Sequence, residues 1–414
     1  MFTRVSTSEL FRQGVGTILE GQADVGKTSL QLASGKRILS PADDPSGSVQ
    51  SLELGTALAV NTQFQRNIDV ANQRIRYEEI TLNSTVNNLQ RVRELVVQAN
   101  NDSQTAETRS FIAAEIRQRL DELVGLANSK DANGEYIYAG YRSNSQPFTI
   151  DASNNVSYIG DDGQRHIQIS PVRQVAIGNS GNDVFNNILD GNGTFTTSTT
   201  TAAGVNTGTG IIGAGFVNDS SQWVPDNYRI NILNVNPDGT FDYDVTLDDV
   251  AGTPLAPPVA GTSQSGADIS FLGISVSIEG DPVAGDAFAV NQSQNKSIFD
   301  TYRDIINTLE NDTGSAVNRG RLHTNLGQAL QELDNDLTNV DRIRSSIGAR
   351  LNALEGQSEI NESAGLQIKT VKSAIEDLDY AEAISRFQQQ LTGLDAAQKT
   401  YVQIQGLSLF NYIR

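Results

Sequence analysis

The sequence predicts an α+β multidomain protein in which long antiparallel helical, coiled-coil arms from both termini flank an inserted, mostly β domain. Three observations lead there: where proline falls, a seven-residue apolar repeat in each arm, and an abrupt change of charge and patterning in the middle. The ten prolines are Pro41, Pro45, Pro147 and seven between Pro171 and Pro282, with none after that. Proline lacks the N–H a helix interior needs and clashes with the preceding turn, so the two Pro-free stretches are permitted to be long helices.

In the first arm Ile68, Ile75, Leu82, Leu89 and Val96 recur every seven residues. In the second, Leu326, Leu333, Val340, Ile347 and Leu354 do the same, and Leu330, Leu337 and Leu351 fill the companion position, which Arg344 interrupts. Such a repeat keeps one seam facing a partner helix. Each seam is roughly 42 Å long at the helical rise of ~1.5 Å per residue, and matched lengths predict that the arms pack on each other. A shorter helix with Ile112, Ile116, Leu120, Leu123 and Ala127 on one face follows the first arm and stops at the turn Asp131-Ala132-Asn133-Gly134.

The middle, 151–295, holds sixteen Asp and Glu against three Arg, so it carries −13 of the chain's net −19. Tyr228–Ile232 and Phe241–Val245 alternate as strands do, with Asn236-Pro237-Asp238-Gly239 as a hairpin turn between them. Gly273–Gly280 alternates again. The Thr/Gly-rich run from Thr194 to Gly210 is expected to be a mobile loop. The chain ends carry a different pattern. Phe11, Val15, Ile18, Gln22, Val25, Ser29 and Leu32 follow four- and three-residue gaps, as do Ile384, Phe387, Leu391, Leu394, Tyr401 and Ile404. Gly14, Gly16, Gly21 and Gly26 weaken the first of these helices by up to ~1 kcal/mol each against Ala, so it should be ordered mainly when packed on partners. Leu407, Leu409 and Phe410 leave large apolar groups near the C-terminus, the mark of an interaction surface.

Composition narrows the function. With 30 Lys and Arg against 49 Asp and Glu, the chain lacks the cationic face that nucleic acid requires, and equally a polybasic membrane anchor. There is no Cys, and only His166 and His323, so thiolate chemistry is excluded and a multi-His metal site is not expected. No apolar run reaches the length of a membrane span, and no cleaved signal peptide is visible. Gly21-Gln22-Ala23-Asp24-Val25-Gly26-Lys27-Thr28 fits the phosphate-loop pattern, but no buried strand precedes it and it sits inside the helical repeat. The pairs Asp43-Asp44, Asp161-Asp162 and Asp248-Asp249 read as solvated surface, because adjacency does not place two carboxyls across a cleft. Asn234–Gly239 begins like a calcium loop, but Val245 stands where the bidentate Glu belongs. No catalytic residue, cofactor or metal is assigned, and the chain is read as a non-enzyme.

Four stretches carry a family resemblance: Ser34-Gly35-Lys36-Arg37-Ile38 leading to Pro41-Ala42-Asp43-Asp44-Pro45; Asp131 to Tyr141, with Ile137-Tyr138-Ala139-Gly140-Tyr141, then Gln146-Pro147-Phe148; Gly285-Asp286-Ala287-Phe288; and Ala396-Ala397-Gln398 followed by Gly406-Leu407-Ser408-Leu409-Phe410. Together they resemble the flagellin superfamily, and within it the hook–filament junction family of hook-associated protein 3 type. The likeness covers both arms, about two-thirds of the chain.

The resemblance implies a secreted, type III-exported structural protein of the extracellular bacterial flagellum that links hook to filament and serves motility. It implies three parts: 1–40 with 380–414 as a terminal coiled-coil inner-tube domain, 41–150 with 296–379 as a helical rod domain, and 151–295 as the inserted acidic β domain. It implies as partners the other hook-associated junction protein, flagellin, further copies of the chain in a ring or short tube, and a flagellar export chaperone, with no nucleic acid and no membrane. It places Phe11, Val15, Ile18, Val25, Leu32, Ile384, Phe387, Leu391, Leu394, Tyr401, Ile404, Leu407, Leu409 and Phe410 at the assembly interface, and Pro41 and Pro45 at an inter-domain bend. Filament flagellin is the alternative. An adhesin using the acidic insert and a nucleotide-binding enzyme built on Gly26, Lys27 and Thr28 are the further readings.

Overall fold

The computed structural model describes residues 7–151, 154–201, 204–249 and 252–406. The first arm gives α1 (Thr7–Ser34), α2 (Pro45–Ala99) and α3 (Ala106–Ala127). The middle gives β1 (Phe148–Ile150), β2 (Val156–Tyr158), β3 (His166–Ser170), β4 (Arg173–Ala176), α4 (Gly181–Phe185), β5 (Ile188–Leu189), β6 (Phe195–Ser198), β7 (Thr200–Thr201), β8 (Gly204–Val205), β9 (Ile211–Ile212) and β10 (Phe216–Val217). It continues through β11 (Tyr228–Val235), β12 (Thr240–Leu247), β13 (Pro254–Gln264), β14 (Asp268–Phe271), β15 (Ile274–Glu279), β16 (Ala287–Gln292) and β17 (Asn295–Lys296). The second arm gives α5 (Ile298–Glu310), α6 (Ala316–Glu376) and α7 (Tyr380–Gly406). The chain divides into two compact units, 1–67 with 356–414 and 68–355, so the division falls inside α2 and α6.

In the 68–355 unit the heptads do what their spacing dictates. All ten principal seam residues, Ile68 through Val96 and Leu326 through Leu354, are buried. They form one core with the apolar face of α3 and with Ile298, Tyr302, Ile305 and Leu309 of α5. Four helices can enclose a seam that two cannot, and ~25 cal/mol per Å² of apolar surface removed from water makes this the chief stabilising term. Arg344 interrupts the seam because it reaches Glu79 at 2.8 Å. The segment from Phe148 to Ile188 adds its aromatic residues to this helical core: Phe148 packs on Phe299 with centroids 5.1 Å apart, and on Phe185 at 5.4 Å.

A second apolar core begins at Phe195. It lies between a five-stranded antiparallel sheet, β13-β12-β11-β16-β6, and a smaller one in which β15 pairs with β14, β10 and β9. The expected hairpin is β11–β12, running from Tyr228↔Leu247 to Val235↔Phe241, and Gly239 takes the positive φ of 84° that its turn requires. Ile274, Val276 and Ile278 of β15 point inward as their alternation predicts. The stretch called 151–295 by composition is therefore divided between two cores. The expected mobile loop at Thr194–Gly210 is corrected in part: Phe195–Ser198 is strand β6, paired with Asn291 and its neighbours on β16. Its β-branched threonines suit an edge strand, and Phe195 anchors it in the core.

Polar groups are buried inside the helical core, each with a reason. The Tyr302 hydroxyl donates to Asn88 Oδ1 at 2.8 Å, and Tyr138 bonds Thr81 at 2.7 Å. Arg109 meets Asp312 at 2.9 Å and donates to the Ala99 and Asn101 carbonyls, tying three chain turns together. Glu78 Oε1 accepts from the backbone and side-chain N–H groups of Asn179 at 3.1 and 2.8 Å, and burial raises its carboxyl to about 7 from the ordinary 4.5. The folded chain thus holds this proton more tightly than the unfolded chain does. Stability from the site is full below the ordinary value and is lost as pH rises through the raised one. Glu78→Gln, neutral throughout, should remove about 3 kcal/mol of that fall. Urea denaturation of both proteins at about pH 5 and about pH 8 measures it; equal pH dependence in the two would contradict a protonated Glu78.

Candidate assembly interface

The 1–67 with 356–414 unit is built from helix pairs, and a pair of helices has no interior large enough for its apolar side chains. α1 and α7 run antiparallel. Phe11 meets the Tyr401 ring edge-on with centroids 5.9 Å apart, Leu394 lies against Gly21, and Thr28 donates to Gln390 at 2.8 Å. At the Phe11 end Gly14 faces the same ring, where a Cβ would stand a tight 3.0 Å from Tyr401. Phe11, Ile18, Val25 and Leu32 of α1, and Phe387, Leu394 and Tyr401 of α7, are half-buried. Val15, Ile384 and Leu391 remain 41–48% exposed. Ile404 lies in α7 with its side chain outside the description, and Leu407, Leu409 and Phe410 lie outside the described residues.

Sequence reasoning missed Leu19, Leu30 and Val402, each at least 60% exposed. They fall off the single stripe that the 3–4 spacing picks out, so their only signal is size and apolarity on an otherwise polar face. The burial of polar side chains between α2 and α6 in this unit was also missed. They are Ser51, Gln357 and Asn361. Asn61 donates to the Asn361 carbonyl, Gln65 to Ser358, and Ser51 to Glu376. Val49, Leu52, Val60, Ile360 and Leu366 are 46–72% exposed on the same two helices. Large apolar groups left out while polar groups are buried mark surface that awaits a partner.

The two turns of this unit are clipped together. Arg37 N donates to the Glu376 carbonyl at 2.7 Å, and Leu378 N to the Gly35 carbonyl at 3.0 Å. Lys36 pairs with Glu376 at 3.3 Å, and Ser51 with Lys36 holds the Glu376 carboxyl below its ordinary range. Gly35 sits at φ 69° after α1, and Tyr380 Oη lies 2.8 Å from where its Cβ would be. Pro45 opens α2, where its missing N–H costs nothing, and Asp44 caps it by accepting from Gly47 N at 2.9 Å. Pro41 lies in the turn just before. The phosphate-loop match is continuous helix in α1. Its Lys27 pairs with Asp43 at 2.6 Å, which with the Ser40 N–H holds that carboxyl at about 2. Helical backbone turns no cradle of N–H groups outward, so this segment is not a phosphate site. Asp161 accepts from the Gly163 and Tyr141 N–H groups, Asp249 from Thr253 N, and Asp238 of the calcium-like run from Thr240 N. Among the described residues no helix is long and apolar enough to cross a membrane.

Comparison with known proteins places these helices in context. The bacterial flagellin N-terminal helical region model matches residues 5–143, and the C-terminal helical region model matches 330–413. Flagellar hook-associated protein 3 of Salmonella typhimurium is 26% identical over 411 residues, covering 99% of this chain and all of that protein. The crystal structure of flagellar hook-associated protein 3 from Legionella pneumophila superposes with a TM-score of 0.71 at 31% identity, covering 78% of this chain and 98% of that one. A flagellin of Serratia marcescens is 30% identical over 151 residues, 36% of this chain and 42% of that protein.

The clip generates a test. Gly35→Ala should cost about 1–2 kcal/mol through its left-handed backbone and raise the rate of tryptic cleavage at Lys36 and Arg37 about tenfold. An unchanged cleavage rate would show that the clip is not held by Gly35.

Proposed function

The chain belongs to the flagellin superfamily, in its hook-associated protein 3 family, and from that premise we propose that it is the structural junction subunit between flagellar hook and filament. The observation that carries the reading is the apolar surface that the 1–67 with 356–414 unit leaves uncovered on α1, α2, α6 and α7. Helices of that kind are completed by neighbouring copies and by flagellar partners. The other junction protein on one side, flagellin on the other, and a ring or short tube of this chain between them fit that need. An export chaperone that shields α7 before secretion fits it too. The division into 1–40 with 380–414, 41–150 with 296–379, and 151–295 serves as the working plan of inner tube, rod and outer domain. Alignment with hook-associated protein 3 from end to end favours the junction role over filament flagellin, which this chain matches over shorter stretches or through longer proteins.

Leu391→Asp with Leu394→Asp should abolish incorporation into flagella, since a buried unpaired charge costs several kcal/mol. The β11–β12 hairpin and its sheet should stay folded. Normal motility in that variant would remove α7 from the interface. Deleting the gene should give non-motile cells that shed soluble flagellin monomer into the medium. Non-motile cells with capped hooks and no flagellin anywhere would instead make the chain the filament subunit.

A further inference from the structure

Five hydrogen-bond donors stand in one row along α6. Arg321, Gln328, Asn335, Asn339 and Arg350 are seven, seven, four and eleven residues apart, and at about 3.6 residues per turn those gaps return to one face over ~44 Å of helix. The chain from Asn179 to Asn206 runs the opposite way along this row. Arg350 donates to Asn179 Oδ1 at 2.9 Å, and Asn339 to the Asp183 and Val184 carbonyls at 3.1 and 3.0 Å. Asn335 donates to the Leu189 and Gly191 carbonyls at 2.9 and 2.8 Å, Gln328 to the Thr196 hydroxyl, and Arg321 to the Asn206 carbonyl at 2.6 Å. Most of the acceptors are main-chain carbonyls, so the row holds the path of the chain rather than particular side chains. Arg321 has no carboxylate partner among the described residues, and its bond to the Asn206 carbonyl is what fixes its guanidinium.

The row crosses the boundary between the two cores of the 68–355 unit. Ile188 belongs to the helical core and Phe195 to the β core. The chain passes between them through Gly191-Asn192-Gly193, with both glycines at positive φ, 57° and 83°. It returns through Ser293 and Gln294, which are hydrogen-bonded to Asp190. Two crossings side by side, one of them carrying glycines free of the usual φ limits, make a hinge. Gln328 and Arg321 take hold beyond it. The loop that Arg321 grips is fixed to the β core, because buried Asp286 accepts from the Thr207, Gly208 and Val283 N–H groups and Asn206 Oδ1 accepts from Ala287 N. Gly320 lets α6 come up to this loop: a Cβ there would stand 2.9 Å from the Thr209 carbonyl oxygen.

We propose that Arg321 and Gln328 are stays that set the angle at which the β domain leaves the helical core, and that without them it swings about Gly191–Gly193 and Ser293. Half-buried hydrogen bonds have a small net worth, so these two select an orientation, while apolar burial stabilises each core. The inference concerns the 68–355 unit alone and does not depend on the junction reading.

The test is double electron–electron resonance on the full chain, which has no cysteine of its own. Spin labels go on Gln118→Cys in α3 and Ser265→Cys after β13, both exposed positions. The parent should give one narrow distance distribution. Arg321→Ala with Gln328→Ala should widen it about twofold or more, as released hinges do, with near-UV circular dichroism kept and the melting temperature lowered by a few degrees at most. Asn339→Ala, on the helical-core side of the hinge, should leave the width unchanged. A parent distribution already broad, an unchanged width in the double variant, equal widening by Asn339→Ala, or loss of the near-UV signal in the double variant would each overturn the proposal.

Discussion

The structure depends on where its long helices can find cover for their apolar side chains. From Ile68 to Val96 and from Leu326 to Leu354, α2 and α6 share a core with α3 and α5, and every principal seam position is buried. In the other unit the same two helices bury Ser51, Gln357 and Asn361 and leave Leu52, Val60, Ile360 and Leu366 exposed. Isolated helices gain most of their stability from packing rather than propensity. A helix pair that buries polar side chains and leaves large apolar ones exposed has forgone part of that gain among its described residues. The remainder is available from outside, which is the physical content of an assembly subunit.

The same economy appears in how α1 and α7 meet. Their seam carries an aromatic pair, a glycine at close approach and a hydroxyl–amide hydrogen bond beside the half-buried Ile18, Val25, Leu32, Phe387 and Leu394. The clip at Gly35, Arg37, Glu376 and Leu378 fixes where both helices leave α2 and α6 through main-chain bonds rather than apolar burial. Such a joint sets direction without consuming the apolar surface that α1 and α7 present to other molecules.

Much of this was legible in the sequence, because period and punctuation are local. The heptads, the β11–β12 hairpin at Asn236–Gly239 and the alternation of β15 all follow from spacing and turn chemistry. Three features were not legible. α5 had a signal in its Ser297 cap, Asp300, and the 3–4 spacing of Ile298, Tyr302, Ile305 and Leu309, but its shortness hides it beside α6. The assignment of Phe148 and Phe185 to the helical core, rather than to the β core beyond Phe195, is decided by contacts with Phe299 far along the chain. For the interface, the 3–4 rule finds the stripe at which α1 and α7 face each other, and so names Phe11, Leu394 and Tyr401. It passes over Leu19, Leu30 and Val402, which lie off that stripe and are too few and too widely spaced to stand out as a second one.

The most direct measurement is amide hydrogen exchange along α2 in the free monomer and in assembled flagella. Slow exchange from Ile68 to Val96 together with fast exchange from Val49 to Asn67 in the monomer, the latter becoming slow on assembly, is what uncovered apolar surface predicts. Uniform slow exchange along the whole of α2 in the free monomer would contradict it, since the helix would then need no neighbour to be stable.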